Sequence, residues 1–130
     1  TVASAAREAR KHAYAPYSDF PMGAALVTDD GRLISGVLVE NVSLGLAMCA
    51  ERVALFTAVT ELQHPVALAL CSKRTEGELT FPCGACLQVA MELGGENLLV
   101  VASDGRREDS ARLSELALRL PSKSKSMGSD

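Results

Sequence analysis

The spacing of apolar and polar positions divides the chain into alternating helical and extended stretches. Val2 to Ala13 reads as a helix, since Ala and Arg are strong helix formers and Ala5, Ala9, His12 and Ala13 fall on one face. The tract from Tyr14 to Pro21 cannot continue it, because Pro16 and Pro21 lack N–H donors and restrict the residues before them. Ala24 to Thr28 reads as a strand, Asp29-Asp30-Gly31 as a hairpin turn, and Leu33 to Glu40 as the returning strand. Asn41 to Met48 is a loop. A helix follows from Ala50 to Leu62, with Val53, Leu55, Phe56 and Val59 on its apolar side. Val66 to Cys71 is an unbroken apolar run, the pattern of a strand buried on both faces. After the polar loop Lys73 to Thr80, Pro82 precedes a helix from Gly84 to Leu93 that Gly94-Gly95 ends. Leu98 to Ala102 is another buried strand, Asp104-Gly105 a turn, and Leu113 to Leu120 a last helix. Pro121 to Asp130, rich in Ser and Lys, reads as a disordered or appended tail.

This order of elements predicts an α/β layered fold with at least four strands in one sheet covered by helices. No repeat or linker divides it, so residues 1–120 are expected to form one domain. The length of 130 residues supports a real core, and a hydrophobic content of 48% is ordinary for a globular chain. No apolar run approaches a membrane span, and Thr1 to Arg10 carries no signal-peptide core.

Charge narrows the choice of partner. The formal net charge is −3 and the basic residues are scattered; only Arg106-Arg107 and the tail lysines Lys123 and Lys125 stand out. Phosphate contacts supply most non-specific affinity for nucleic acid, so this balance favours a small-molecule substrate over a polynucleotide.

The candidate chemistry lies in two short pieces, Cys49-Ala50-Glu51 and Pro82-Cys83-Gly84-Ala85-Cys86. Each puts thiols at the start of a predicted helix, where free N–H groups and the helix dipole favour thiolate. Cys49, Cys83 and Cys86 can hold one zinc ion and leave its fourth position open for water, with Glu51 beside it to carry protons. Such a layout is catalytic, because a structural zinc site closes all four positions with protein ligands. Three thiolates give a net negative shell, which Arg52 would offset by donating hydrogen bonds to sulfur. The alternative is a closed structural site that adds Cys71. Cys71, however, ends a buried apolar run where a free thiol behaves as a small hydrophobe, and a closed site would leave Glu51 without a task. His12 and His64 are weaker candidates to replace a thiol. Pairing a CxxC with a Cys-x-Glu favours metal chemistry in a reducing, cytoplasmic compartment over a disulfide framework.

Three ordered blocks carry a resemblance. They are Tyr14-Ala15-Pro16-Tyr17-Ser18 with Phe20 to Ala25, then Val39-Glu40-Asn41 leading into Cys49-Ala50-Glu51-Arg52, then Pro82 to Cys86 with Gln88-Val89. Together they span about Ala13 to Val101 and resemble the zinc-dependent cytidine deaminases. The resemblance implies a cytidine-deaminase-like layered fold, with a mixed β-sheet packed between α-helices, and one Zn2+ per chain. It implies hydrolytic deamination of a cytosine-type nucleoside, with Glu51 as proton shuttle to a zinc-bound hydroxide. Phe20 would pack on the pyrimidine, Glu40 would accept from a sugar hydroxyl, the Ala50 backbone would read the base edge, and Arg52 would support the sulfurs. A chain of this length matches the homotetrameric kind, whose pockets are shared between subunits.

Four positions depart from the family pattern. Leu38 stands where an Asn usually holds the sugar, Leu44 replaces an aromatic, Leu87 replaces a basic residue, and the pocket-closing Phe after a C-terminal Leu-Pro is missing around Leu120-Pro121-Ser122. An aliphatic side chain cannot replace lost polar contacts to a sugar. A modified aminopyrimidine nucleoside such as blasticidin S is therefore an alternative substrate to cytidine and 2'-deoxycytidine. A non-catalytic structural zinc module is the alternative from outside enzymology.

Overall fold

The computed structural model describes residues 1–122. Its centre is a five-stranded sheet of order β2-β1-β3-β4-β5, built from β1 (Gly23–Thr28), β2 (Leu33–Val37), β3 (Pro65–Cys71), β4 (Leu99–Ser103) and β5 (Glu108–Arg112). β3 and β4 run parallel; every other neighbouring pair is antiparallel. The helices are α1 (Val2–Arg10), α2 (Ala50–Thr60), α3 (Gly84–Gly94) and the single turn α4 (Leu113–Leu116). This is the expected mixed sheet between helical layers.

Strand alternation sorts side chains into two cores. Leu26, Leu68 and Val100 face α2 and α3, packing with Ala54, Leu55, Ala58 and Ala90. Ala25, Ala69, Cys71 and Val101 face α1 and meet Ala3 and Ala6. Alanine and glycine set the closeness of these layers. A Cβ on Gly23 would lie 2.2 Å from the Arg10 nitrogen, and one on Gly36 would lie 2.5 Å from both the Ala50 oxygen and the Ala54 nitrogen. α1 and α2 therefore rest almost backbone to backbone on the first hairpin.

Several boundaries and faces differ from the sequence expectation. α1 ends at Arg10 rather than Ala13, and it buries Ala3, Ala6 and Ala9 instead of the face through His12. In an alanine-rich helix many faces are nearly equivalent, and the match to Gly23 selects one. α2 buries Ala50, Glu51, Ala54, Leu55 and Ala58, leaving Phe56 43% and Val59 51% exposed. β2 stops at Val37, and beyond it Val39 forms isolated bridges to Tyr14 and Met48. The helix expected over Leu113–Leu120 is four residues long. β5 carries the sequence Glu-Asp-Ser-Ala-Arg on an edge, so it shows no apolar alternation to read. Of the expected tail, Pro121 accepts a hydrogen bond from Gln88 Nε2 at 2.9 Å, and residues 123–130 lie outside the described residues.

Candidate metal centre and active site

Two helix starts build the site. Cys49 is the N-cap of α2 and Cys83 the N-cap of α3, both with extended backbone and neither making a side-chain capping bond. An N-cap is normally an oxygen that accepts from the first-turn N–H groups; here each position presents sulfur instead. Cys86, in the first turn of α3, is fully buried. The sulfurs of Cys49, Cys83 and Cys86 lie within 4.8 Å of one another, although thirty-odd residues separate the first from the other two. Cys83 Sγ stands 3.5 Å from Cys86 Sγ, and Arg52 Nη2 donates to Cys49 Sγ at 3.3 Å.

Electrostatics within the trio is strongly uneven. The Cys49 thiol is pushed down to about 5, first by the hydrogen bond from Cys86 and then by Arg52. The same contact with Cys49 pushes Cys86 up, and burial adds to it. Glu51 is 1% exposed, and burial pushes its carboxyl up to about 7, with the Cys49 charge adding to the rise.

These residues fit a zinc ion. The donor set is three thiol sulfurs at helix N-termini, which suits a borderline-soft divalent cation. Glu51 Oε1 and Arg52 Nε are buried with no hydrogen-bond partner among the described residues. A buried polar atom without a partner is costly, so their surroundings are built for something outside the chain.

The remaining expected residues are distributed as follows. Val39 pairs with Met48 through two backbone hydrogen bonds of 3.1 and 2.9 Å, which sets Glu40 next to the segment delivering Cys49. Ala50 is the first residue of α2 and fully buried, so its N–H has no partner within the helix. Phe20 is half-buried in the loop between α1 and β1. That loop is tied down by Glu40, whose Oε1 accepts from Tyr17 N–H at 3.0 Å and Ser18 N–H at 3.2 Å, and by Lys73 Nζ, which donates to the Asp19 carbonyl at 2.7 Å. Ser18 was not singled out from the sequence. The available signal was a small hydroxyl residue in a proline-flanked tract, a usual turn former.

Cys71 stands apart from the trio. It is buried in the core beneath α1, with Arg10 Nη1 4.0 Å from its sulfur. Neither His12 nor His64 joins the sulfur group among the described residues. The closed four-cysteine arrangement is therefore not the one the fold assembles. No helix among the described residues is long and apolar enough to cross a membrane.

Residues 1–102 match the family model for the cytidine and deoxycytidylate deaminase zinc-binding region. The chain is 45% identical to the cytidine deaminase of Mycobacterium tuberculosis over 95 residues, 73% of this chain and 71% of that one. It is 48% identical to the cytidine deaminase of Halalkalibacterium halodurans over 86 residues, 66% of this chain and 64% of that one. The crystal structure of cytidine deaminase from Burkholderia pseudomallei superposes with a TM-score of 0.86 at 42% identity, covering 92% of this chain and 96% of that one. Sequence, fold and the cysteine trio thus agree, and the chain belongs to the cytidine and deoxycytidylate deaminase family of zinc-dependent hydrolases.

Proposed function

We propose that the chain converts cytidine or 2'-deoxycytidine to the corresponding uridine and ammonia, with Cys49, Cys83 and Cys86 holding the metal and Glu51 moving the protons. The observation that carries this reading is the meeting of three sulfurs within 4.8 Å beside a buried acid whose Oε1 has no partner. Zinc, when bound, supplies a Lewis acid that brings the pKa of water toward ~7. Glu51 accepts the proton of the attacking water and delivers it to the ring nitrogen beside the carbon that bears the amino group. Once the water oxygen is bonded to that carbon, the same carboxylate takes the remaining proton from that oxygen and passes it to the amino group, so that the carbonyl forms as the carbon–nitrogen bond breaks and ammonia departs. A carboxyl lifted by burial toward neutrality suits this two-way traffic. Arg52 draws charge from the Cys49 sulfur through its 3.3 Å hydrogen bond. Phe20 packs on the pyrimidine, the free N–H of Ala50 reads the base edge, and Glu40 accepts from a sugar hydroxyl.

Residues 1–120 act in this proposal as one deaminase domain that works in the reducing cytoplasm as a homotetramer, without a nucleic-acid partner. Support for self-association comes from the apolar side chains just before and just after α2: Val42 is 81%, Leu44 84% and Leu62 91% exposed.

A second substrate, a modified aminopyrimidine nucleoside such as blasticidin S, is favoured by one observation. Leu38 spends its N–H on the Met22 carbonyl and its carbonyl on the Tyr14 N–H, which leaves only an aliphatic side chain for a sugar. The test is ammonia release from cytidine, 2'-deoxycytidine, free cytosine and blasticidin S. Wild type should turn over at least one of the nucleosides, and Glu51→Ala should lose at least about 100-fold, the low end for a proton-transfer residue. Equal rates for Glu51→Ala and wild type would end this reading and leave a zinc-stabilised module.

A further inference from the structure

The acid expected to meet a sugar hydroxyl is already engaged by its own neighbourhood. Glu40 Oε1 accepts from two backbone N–H groups, those of Tyr17 at 3.0 Å and Ser18 at 3.2 Å. Glu40 Oε2 accepts from the Ser18 hydroxyl. The Ser18 oxygen in turn accepts from the Phe20 N–H at 3.1 Å. Behind them the Glu40 N–H donates to the Tyr14 carbonyl at 2.9 Å, so side chain and backbone hold the same loop. Ser18 is also the first cause of the lowered Glu40 pKa. A carboxylate has about four lone-pair directions. Two N–H donors fill those of Oε1 and the Ser18 hydroxyl fills one on Oε2, which leaves one.

We propose that Ser18 is a positioning residue: its hydroxyl holds the Glu40 carboxylate and the Phe20 backbone as one unit, with a single acceptor direction left for a single substrate hydroxyl. The proposal rests on the nucleoside-deaminase reading above and adds to it how the sugar end is recognised. Without the hydroxyl, Oε2 is free to turn and the Phe20 N–H loses its acceptor. Substrate then meets a looser acid and a looser ring, while the proton transfer at Glu51 is untouched. Ser18→Ala should therefore raise KM and leave kcat nearly unchanged.

The experiment is steady-state ammonia release from cytidine, 2'-deoxycytidine and 3'-deoxycytidine by wild type, Ser18→Ala, Ser18→Thr and Glu51→Ala, together with amide exchange at Phe20. In wild type, removing one of the two sugar hydroxyls should raise KM by about threefold to tenfold, the worth of one net hydrogen bond, and removing the other should have little effect. Ser18→Ala should raise KM for cytidine by a similar factor and shrink the penalty for the sensitive hydroxyl. It should also speed exchange of the Phe20 amide. Ser18→Thr, which keeps the hydroxyl, should restore all three. An unchanged KM and unchanged Phe20 exchange in Ser18→Ala, with Glu51→Ala inactive, would overturn the positioning role and leave the deaminase reading standing. Two equally important hydroxyls would also overturn it. No ammonia from any of these nucleosides with wild type would bring down both.

Discussion

At the residue scale the site is defined by which cysteines meet and by one arginine that bonds to the first of them. Arg52 lies one turn into α2 from Cys49, and the helix repeat alone brings its guanidinium to that sulfur at 3.3 Å. Groups that bond to ligating atoms orient them and tune their affinity for metal. Arg52→Gln should weaken zinc binding by about 10- to 100-fold in chelator competition. Cys83→Ala should lose the ion, while Cys71→Ala should keep it, because Cys71 is packed beneath α1. Loss of zinc from Cys71→Ala at the level of Cys83→Ala would contradict the three-sulfur site. Cys49, Glu51 and the CxxC were legible as candidates in the sequence because a Cys-x-Glu and a CxxC occur together at two predicted helix starts, where a CxxC alone would say little. Ser18 was not legible, since a serine in a loop gains its role only when Glu40 arrives from twenty-two residues away.

At the element scale one contact sets the helix that carries Cys49 and Glu51, and another ties down a turn of the sheet. The first is the close approach of α2 to β2 at Gly36. A methyl there would overlap the Ala50 oxygen and the Ala54 nitrogen, both backbone, so it is the helix itself that must shift. Gly36→Ala should cost about 1–3 kcal/mol in thermal or denaturant unfolding. Because Cys49 caps this helix and Glu51 lies in its first turn, the variant should also bind zinc more weakly. A variant with wild-type stability and zinc affinity would show that α2 is not set by this contact. The second is the turn between β4 and β5. Asp104 is held well below the usual carboxylate range by the Arg107 N–H, by Arg74 Nε at 2.8 Å and by the Arg106 N–H. A carboxyl lowered in the folded state adds stability above the unfolded value of about 4, and that contribution fades as the pH falls toward the folded value. Asp104→Asn should therefore lower Tm at pH 7, and the two proteins should converge as the pH falls below 4. A gap that widens in acid would reverse the assignment. The strands β1, β3 and β4 were readable because their apolar runs are unbroken, whereas β5 is an exposed edge held by hydrogen bonds to β4 and carries no such signal.

At the scale of the whole molecule, apolar side chains before and along α2 stand uncovered in the single chain. Leu44 and Leu46 are 84% and 69% exposed just before Cys49, and Phe56 and Val59 follow on the outer side of α2. Such a surface beside an active site calls for a partner, and a second copy is the partner proposed. Sedimentation equilibrium of the zinc-loaded protein should give about four times the chain mass of 13.7 kDa. A monomer at micromolar concentration would refute the tetramer, and charged substitutions at Leu44 and Leu46 should dissociate it if these side chains form the contact. The sequence by itself determined the layered α/β order, the three sulfurs and the acid, because periodicity and ligand spacing are local properties that survive without a fold. Only the tertiary structure decided which alanine face of α1 and α2 is buried, that Cys71 lies on the far side of the sheet, and that Glu40 closes the Phe20 loop. Those outcomes depend on which backbones approach closely, through Gly23 and Gly36, and on hydrogen bonds between residues far apart in the chain.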